Sequence, residues 1–171
     1  FKTARGSWTY PEACWLRIGG VPLFSGFLYS AVGSYLARSW RLFGARLEGY
    51  PPHRWPVLLA ALIYLNFFTH HFIPDARLAL FAGAAVLFWR ASILITIDRT
   101  ERRLPLLVAF VLVALLIWIA ENIGSWSAAW LYPHQHARWS PVGLGKLGSW
   151  YLLMIVSFVL VAHLHHPDDR R

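Results

Sequence analysis

The sequence predicts an all-α, polytopic transmembrane helix bundle with about five spanning helices. Three observations predict it. The 171 residues are 57% hydrophobic and only 14% charged, against about 25% charged in an ordinary soluble domain. Their mean hydropathy is +0.46. Several apolar runs approach the roughly 20 residues that a helix needs to cross a bilayer. The length fits a single integral membrane domain over 1–171.

Residues 1–19 read as an interfacial segment, with Trp8, Tyr10 and Trp15 suited to the headgroup level. The first span is expected over 20–38, where Gly26, Ser30, Gly33 and Ser34 form a small-residue stripe that favours close helix packing. A basic loop over 39–55 follows, broken at Pro51-Pro52. The second span covers 56–73 and stops at Pro74. The third covers 76–97 and carries Arg90, whose long stem is expected to snorkel to the headgroups. After a charged loop at 98–103 comes the fourth span, 104–122, the most apolar. Residues 123–141 form a second aromatic loop with Trp126, Trp130, Tyr132 and Trp139. The fifth span, 142–164, carries Lys146 near its start, and a polar tail ends the chain.

The net charge of +8 would suggest nucleic acid in a soluble chain. Here the arginines sit in short loops between apolar runs, where they set orientation against an anionic leaflet instead, so no nucleic-acid partner is expected. Cys14 is the only cysteine, which excludes an intrachain disulfide and a cysteine metal site. With five spans, one face (the front) holds Lys2, Arg5, Arg17, Arg77 and Arg138. The back holds Arg38, Arg41, Arg46, Arg54, Arg99, Arg102, Arg103, Arg170 and Arg171. The richer back is expected to be cytoplasmic, and the C-terminus with it.

An internal echo accompanies this topology. Gly6-Ser7-Trp8, then Tyr10-Pro11-Glu12, resembles Gly124-Ser125-Trp126, then Tyr132-Pro133-His134-Gln135. Counted from each Tyr-Pro, Gly26 matches Gly148 and Tyr29 matches Tyr151. This suggests a parallel repeat whose two loops flank one crevice.

The same topology gathers polar groups at the front. Asn66, Thr69 and His70 share one helical face at i, i+3 and i+4, and His71 follows them. Glu121 and Asn122 end the fourth span, Lys146 opens the fifth, and the loops add Glu12, His134, Gln135 and His136. Polar and ionisable groups at membrane depth usually mark a site. One reading is acid–base chemistry by Glu121 and His70, oriented by Asn66 and Asn122, with Lys146 holding a polar or anionic headgroup. A second is a metal site from His70, His134, His136 and Glu121, although His70 and His71 should point about 100° apart on a helix. The plain structural reading is that these groups bond to one another and fasten the helices.

The phrases GSWTYPE, GVPLFSGFLYSAVGSYL, ALIYLNFFTHHFI, WIAENIGSW, YPHQH and LGKLGSWYLL together resemble a bacterial family of integral membrane proteins, domain of unknown function 817. The resemblance runs from Phe1 to His163 in the family's order. It implies a bacterial inner-membrane location and further helices upstream of Phe1, and it implies no assigned reaction. The expected function is a membrane-embedded enzyme acting on a lipid or isoprenoid, with Asn66, Thr69, Asn122, His134, Gln135, His136, Lys146 and Glu12 at the substrate. The competing expectation is a non-catalytic subunit of a larger membrane complex or a small-solute transporter. No cofactor is legible.

Overall fold

The computed structural model describes residues 3, 5–11 and 13–165. A short hairpin of β1 (Arg17–Ile18) and β2 (Val21–Pro22) leads into α1 (Phe24–Leu42). Strand β3 (Arg46–Glu48) precedes α2 (Arg54–Thr69) and α3 (Arg77–Phe88). Strands β4 (Ser92–Ile97) and β5 (Thr100–Pro105) then lead into α4 (Leu106–Trp126), a single 3-10 turn (Pro133–Gln135) and α5 (Leu144–His165). Helix α5 is central, packed against α1, α2 and α4.

Side-chain contacts fix the helix directions. Trp40 near the end of α1 lies against His165 at the end of α5, so these helices run the same way. His53, just before α2, meets His163 near the end of α5. Asn122 near the end of α4 bonds the backbone of Val142, just before α5. Helices α2 and α4 therefore run opposite to α5. Glycine 148 lets Phe81 of α3 approach α5, since a Cβ there would sit 2.9 Å from the Phe81 ring. Helices α1 and α5 thus run one way, and α2 and α4 the other.

Helices α4 and α5 are long and apolar enough to cross a membrane, and α2 and α3 are apolar but shorter. Helix α4 carries no charge before Glu121. A helix apolar all round is either buried or lipid-facing, and α4 leaves Leu112, Leu116, Ile119 and Ile123 exposed. The core is aromatic towards the back: Phe110 touches Phe158 (ring centroids 5.1 Å) and Phe88 (5.6 Å), and Tyr50 covers Phe88 (5.8 Å).

The all-α expectation is corrected by two small sheets, β1–β2 and β3–β4–β5. The stretch 76–97 is not one helix. Helix α3 ends at Phe88, and Ser-Ile-Leu-Ile-Thr-Ile continues as a strand. The physical reason is its β-branched content and a two-residue turn in which Asp98 and Arg99 both take positive φ, 49° and 63°. That geometry matches strand twist. The loop expected at 98–103 is largely β5. In register, Ile93 and Ile95 oppose Leu104 and Arg102, while Leu94 and Thr96 oppose Arg103 and Glu101. One face is therefore mainly apolar and lies on the core. The other carries the Arg46–Glu101 and Arg103–Glu48 pairs. Gly49 lets β3 approach closely, because a Cβ there would lie 2.7 Å from the Arg90 carbonyl oxygen. Arg90 itself lies past the end of α3, its guanidinium 4.8 Å from the Trp89 ring centroid, so it does not snorkel from inside a span.

Candidate functional site

The end of α2 is built by hydrogen bonds that follow from its residue types. The Asn66 amide donates to Asp75 Oδ1 (3.0 Å), and its oxygen accepts the Ala76 N–H (3.0 Å). One amide thereby closes the turn into α3. Arg77 pairs with Asp75 (2.9 Å) and donates to the Gly145 carbonyl at the start of α5 (3.2 Å). Burial pushes the Asp75 carboxyl up. The Asn66 amide, the Arg77 N–H and the charges of Arg77 and His70 outweigh it and hold the group below the usual carboxylate range.

His70 Nδ1 lies 2.9 Å from the backbone oxygen of Asn66. A carbonyl only accepts, so this bond puts the proton on Nδ1 and leaves Nε2 as the basic nitrogen. The helix stops at Thr69, so His70 and His71 do not diverge as helical neighbours should. Their ring centroids are 4.1 Å apart. Thr69 turns back to the Leu65 carbonyl at 2.9 Å and takes no part in the cavity described below.

The second aromatic loop folds back on α4. Tyr132 donates its hydroxyl proton to Glu121 Oε2. The Trp130 ring fits over Gly124, where a Cβ would come within 2.3 Å of it. Lys146 Nζ sits 4.5 Å from the Tyr132 ring centroid and 5.7 Å from that of Trp8, a cation between two aromatic faces. His134 stacks on Tyr132, with centroids at 6.1 Å and planes within 8°.

Other expected residues fasten the loop. Asn122 donates to the Trp118 carbonyl (2.8 Å) and accepts the Val142 N–H (2.9 Å). Gln135 is buried. It donates to Ser125 Oγ (3.2 Å) and the Ser140 carbonyl (2.7 Å) and accepts the Tyr132 N–H (3.1 Å). His136 Nε2 meets Thr9 Oγ1 at 3.3 Å. These three serve as scaffold: each expected polar contact is made to protein. Glu12 lies outside the described residues.

The two echoing loops pair with each other. Thr9 and Leu131, each the residue before its Tyr-Pro, form an antiparallel bridge with both N–H···O distances at 2.8 Å. Tyr10 packs on Phe24 at 6.1 Å, and fourteen residues after each tyrosine the second copy has Lys146 where the first has Phe24. The matched positions hold matching contacts, but only the second copy carries a charge there.

Between the loops and the ends of α2 and α5 lies a cavity of about 490 Å³. His70, His71, His134, Lys146, Arg77 and Asn66 line it, with Trp8, Tyr10, Trp130, Tyr132 and Trp150, and with apolar walls at Ile63, Phe67, Leu152 and Leu153. The structure thus brings His70, His134 and Lys146 to one space. Glu121 reaches it only through Tyr132. Sequence reading missed Tyr132, Trp130, Trp150 and Arg77 as cavity residues, because aromatics and an arginine at a membrane boundary read as anchors. Among the described residues no three His, Cys, Asp or Glu side chains are grouped to hold a metal ion. Of the four residues of the metal reading, His136 and Glu121 are turned to Thr9 and Tyr132.

With this geometry established, comparison with known proteins places the chain. The family described as protein of unknown function, DUF817, matches residues 1–158. The chain belongs to this family. It is 48% identical over 170 residues to the uncharacterized protein YoaT of Bacillus subtilis (strain 168). That alignment covers 99% of this chain and 64% of YoaT, so the chain spans less than two thirds of that relative's length. No solved structure matches.

Proposed function

We propose that this DUF817 chain is part of a multi-pass protein of the bacterial inner membrane that performs acid–base chemistry on a lipid or isoprenoid at its front cavity. The observation that carries the reading is the Glu121–Tyr132 hydrogen bond at the wall of a cavity that also holds His70. A carboxylate joined to a phenol hydroxyl can take up and return a proton at the cavity surface. His70, with Nε2 as its basic nitrogen, supplies a second proton acceptor. Lys146 holds the headgroup, and Ile63, Phe67, Leu152 and Leu153 take the apolar tail, an arrangement usual for ligand cavities.

The membrane placement rests on two apolar helices and on the alternating helix directions. The basic sheet end, with Arg99 and Arg102, faces the cytoplasm together with the C-terminus, and the cavity faces the opposite side. In this reading five helices pass between the faces. Helix α3 covers only about 18 Å at 1.5 Å per residue, and the β4–β5 hairpin follows it at the cytoplasmic surface.

The test is the lipid composition of cells with and without the gene, complemented by the native protein or by Glu121→Gln. The reading predicts an altered lipid or isoprenoid that the native protein restores and Glu121→Gln does not. Full complementation by Glu121→Gln with no lipid changed would remove the enzyme reading and favour the non-catalytic subunit.

A further inference from the structure

Basic residues in this chain are almost all arginine. Of the sixteen Lys and Arg residues, only Lys2 and Lys146 are lysine. Where a cation serves only orientation or anion binding, this chain nearly always uses arginine, and Arg77 already lines the front cavity. Lysine differs in one chemical respect. Its amine can lose a proton in an apolar pocket and act as a nucleophile, whereas a guanidinium stays charged. Lys146 stands in the first turn of α5, half-buried, and lines the cavity. Its Nζ lies 4.5 Å from the Tyr132 ring centroid, and the Tyr132 hydroxyl donates to Glu121. His70, with Nε2 as its basic nitrogen, lines the same space. An amine and two sets of proton-carrying groups therefore meet at one cavity. The rest of the lining suits an unsaturated apolar chain: Trp8, Tyr10, Phe67 and Trp130 offer ring faces, and Ile63 and Leu153 offer aliphatic walls.

We propose that Lys146 forms an imine with a carbonyl-bearing isoprenoid or lipid seated in the front cavity. This rests on the lipid or isoprenoid reading of the cavity and names the reactive group of the ligand. The Nζ lone pair of the neutral amine forms a bond to the carbonyl carbon, and the C=O π pair moves to oxygen. Both amine protons pass in turn to that oxygen, which leaves as water as the C=N bond forms. Amine plus carbonyl gives imine plus water, so no oxidant, reductant or further reactant is required. The Glu121–Tyr132 pair and His70 carry those protons. Protonation of the imine returns a positive charge to the place where the Tyr132 and Trp8 rings already face one. An iminium also acidifies the C–H beside it, which gives the acid–base groups of the cavity a proton to move.

The test is reductive trapping on the purified full-length protein in detergent. Farnesal or prenal is added with sodium cyanoborohydride, and adducts are located by peptide mass spectrometry. Farnesal is expected to add its own mass less one oxygen atom at Lys146, roughly tenfold faster than at any other lysine, because a seated carbonyl is held against the amine. Prenal has the same conjugated aldehyde on a single isoprene unit and should show little preference for Lys146. Lys146→Arg keeps the cation and should abolish the fast adduct without moving it to another lysine. Four results would each overturn the proposal: no farnesal adduct at Lys146, an adduct there no faster than elsewhere, an equal preference with prenal, or an undiminished fast adduct in Lys146→Arg. Adduct mapping on the native protein decides the matter even where the variant does not fold. The imine and the cellular reaction fail separately. Trapping at Lys146 with no lipid changed in cells removes only the enzyme reading, and a Glu121-dependent lipid change with no trapping at Lys146 removes only this proposal.

Discussion

Asn122 and Thr69 show how two polar residues of similar appearance in the sequence come to differ. Both sit near the end of an apolar helix, and both were expected at a substrate. The Asn122 amide joins the backbone of α4 to that of Val142, whereas the Thr69 hydroxyl bonds its own helix one turn back. Asn122→Ala should cost about 1–3 kcal/mol, because it leaves the Val142 N–H without its partner. Thr69→Ala should stay within about 0.5 kcal/mol. Thermal or denaturant unfolding in detergent checks both. Asp75 gives a pH dependence. Its carboxyl is held below the usual range in the folded protein. Its contribution is therefore present above the unfolded carboxylate value of about 3.9 and is lost as pH falls through the lower folded value. Asp75→Asn should flatten the acid limb of melting temperature against pH. The polar identity of the site was legible residue by residue, since composition makes every polar group in an apolar helix conspicuous. Whether a group faces the cavity or the scaffold was not. Gln135 and Glu121 become distinct only when Ser125 and Tyr132 are seen beside them.

At the scale of elements, the helices were largely legible and the sheet was not. Long apolar runs locate α4 and α5 because length alone separates them from strands. The run 76–97 is equally apolar, so composition joined α3 to β4. The β-branched Ile93, Ile95, Thr96 and Ile97 ahead of Asp98 were the available signal. The hairpin turn offers the check. Arg99 holds φ at 63°, a conformation that costs a side-chain-bearing residue about 1 kcal/mol and costs glycine little. Arg99→Gly should therefore raise stability by up to about 1 kcal/mol in the same unfolding assay. A helix ending at 97 with an unconstrained loop beyond it would instead gain nothing from glycine at 99. The paired loops were legible as an echo in sequence, but their bridge at Thr9 and Leu131 was not, because pairing between distant segments leaves no local periodicity.

Across the whole molecule, the helix directions set two unlike ends. One gathers His70, His134, Lys146 and the Glu121–Tyr132 pair. The other carries the three-stranded sheet with Arg99, Arg102 and Arg103. The account places a bilayer between them, with the exposed leucines and isoleucines of α4 in lipid. In the proposed reading the cavity then faces the non-cytoplasmic leaflet. The same placement gives the excess of arginine at the sheet end its physical reason. The most direct measurement is thiol accessibility in intact cells. In the full-length protein with Cys14→Ser, His134→Cys marks the cavity end and Arg99→Cys marks the sheet end, both at exposed positions. A membrane-impermeant maleimide should label the variant at 134 in intact cells and the variant at 99 only after permeabilisation. Equal labelling of both variants in intact cells, or labelling of position 99 alone, would contradict the account.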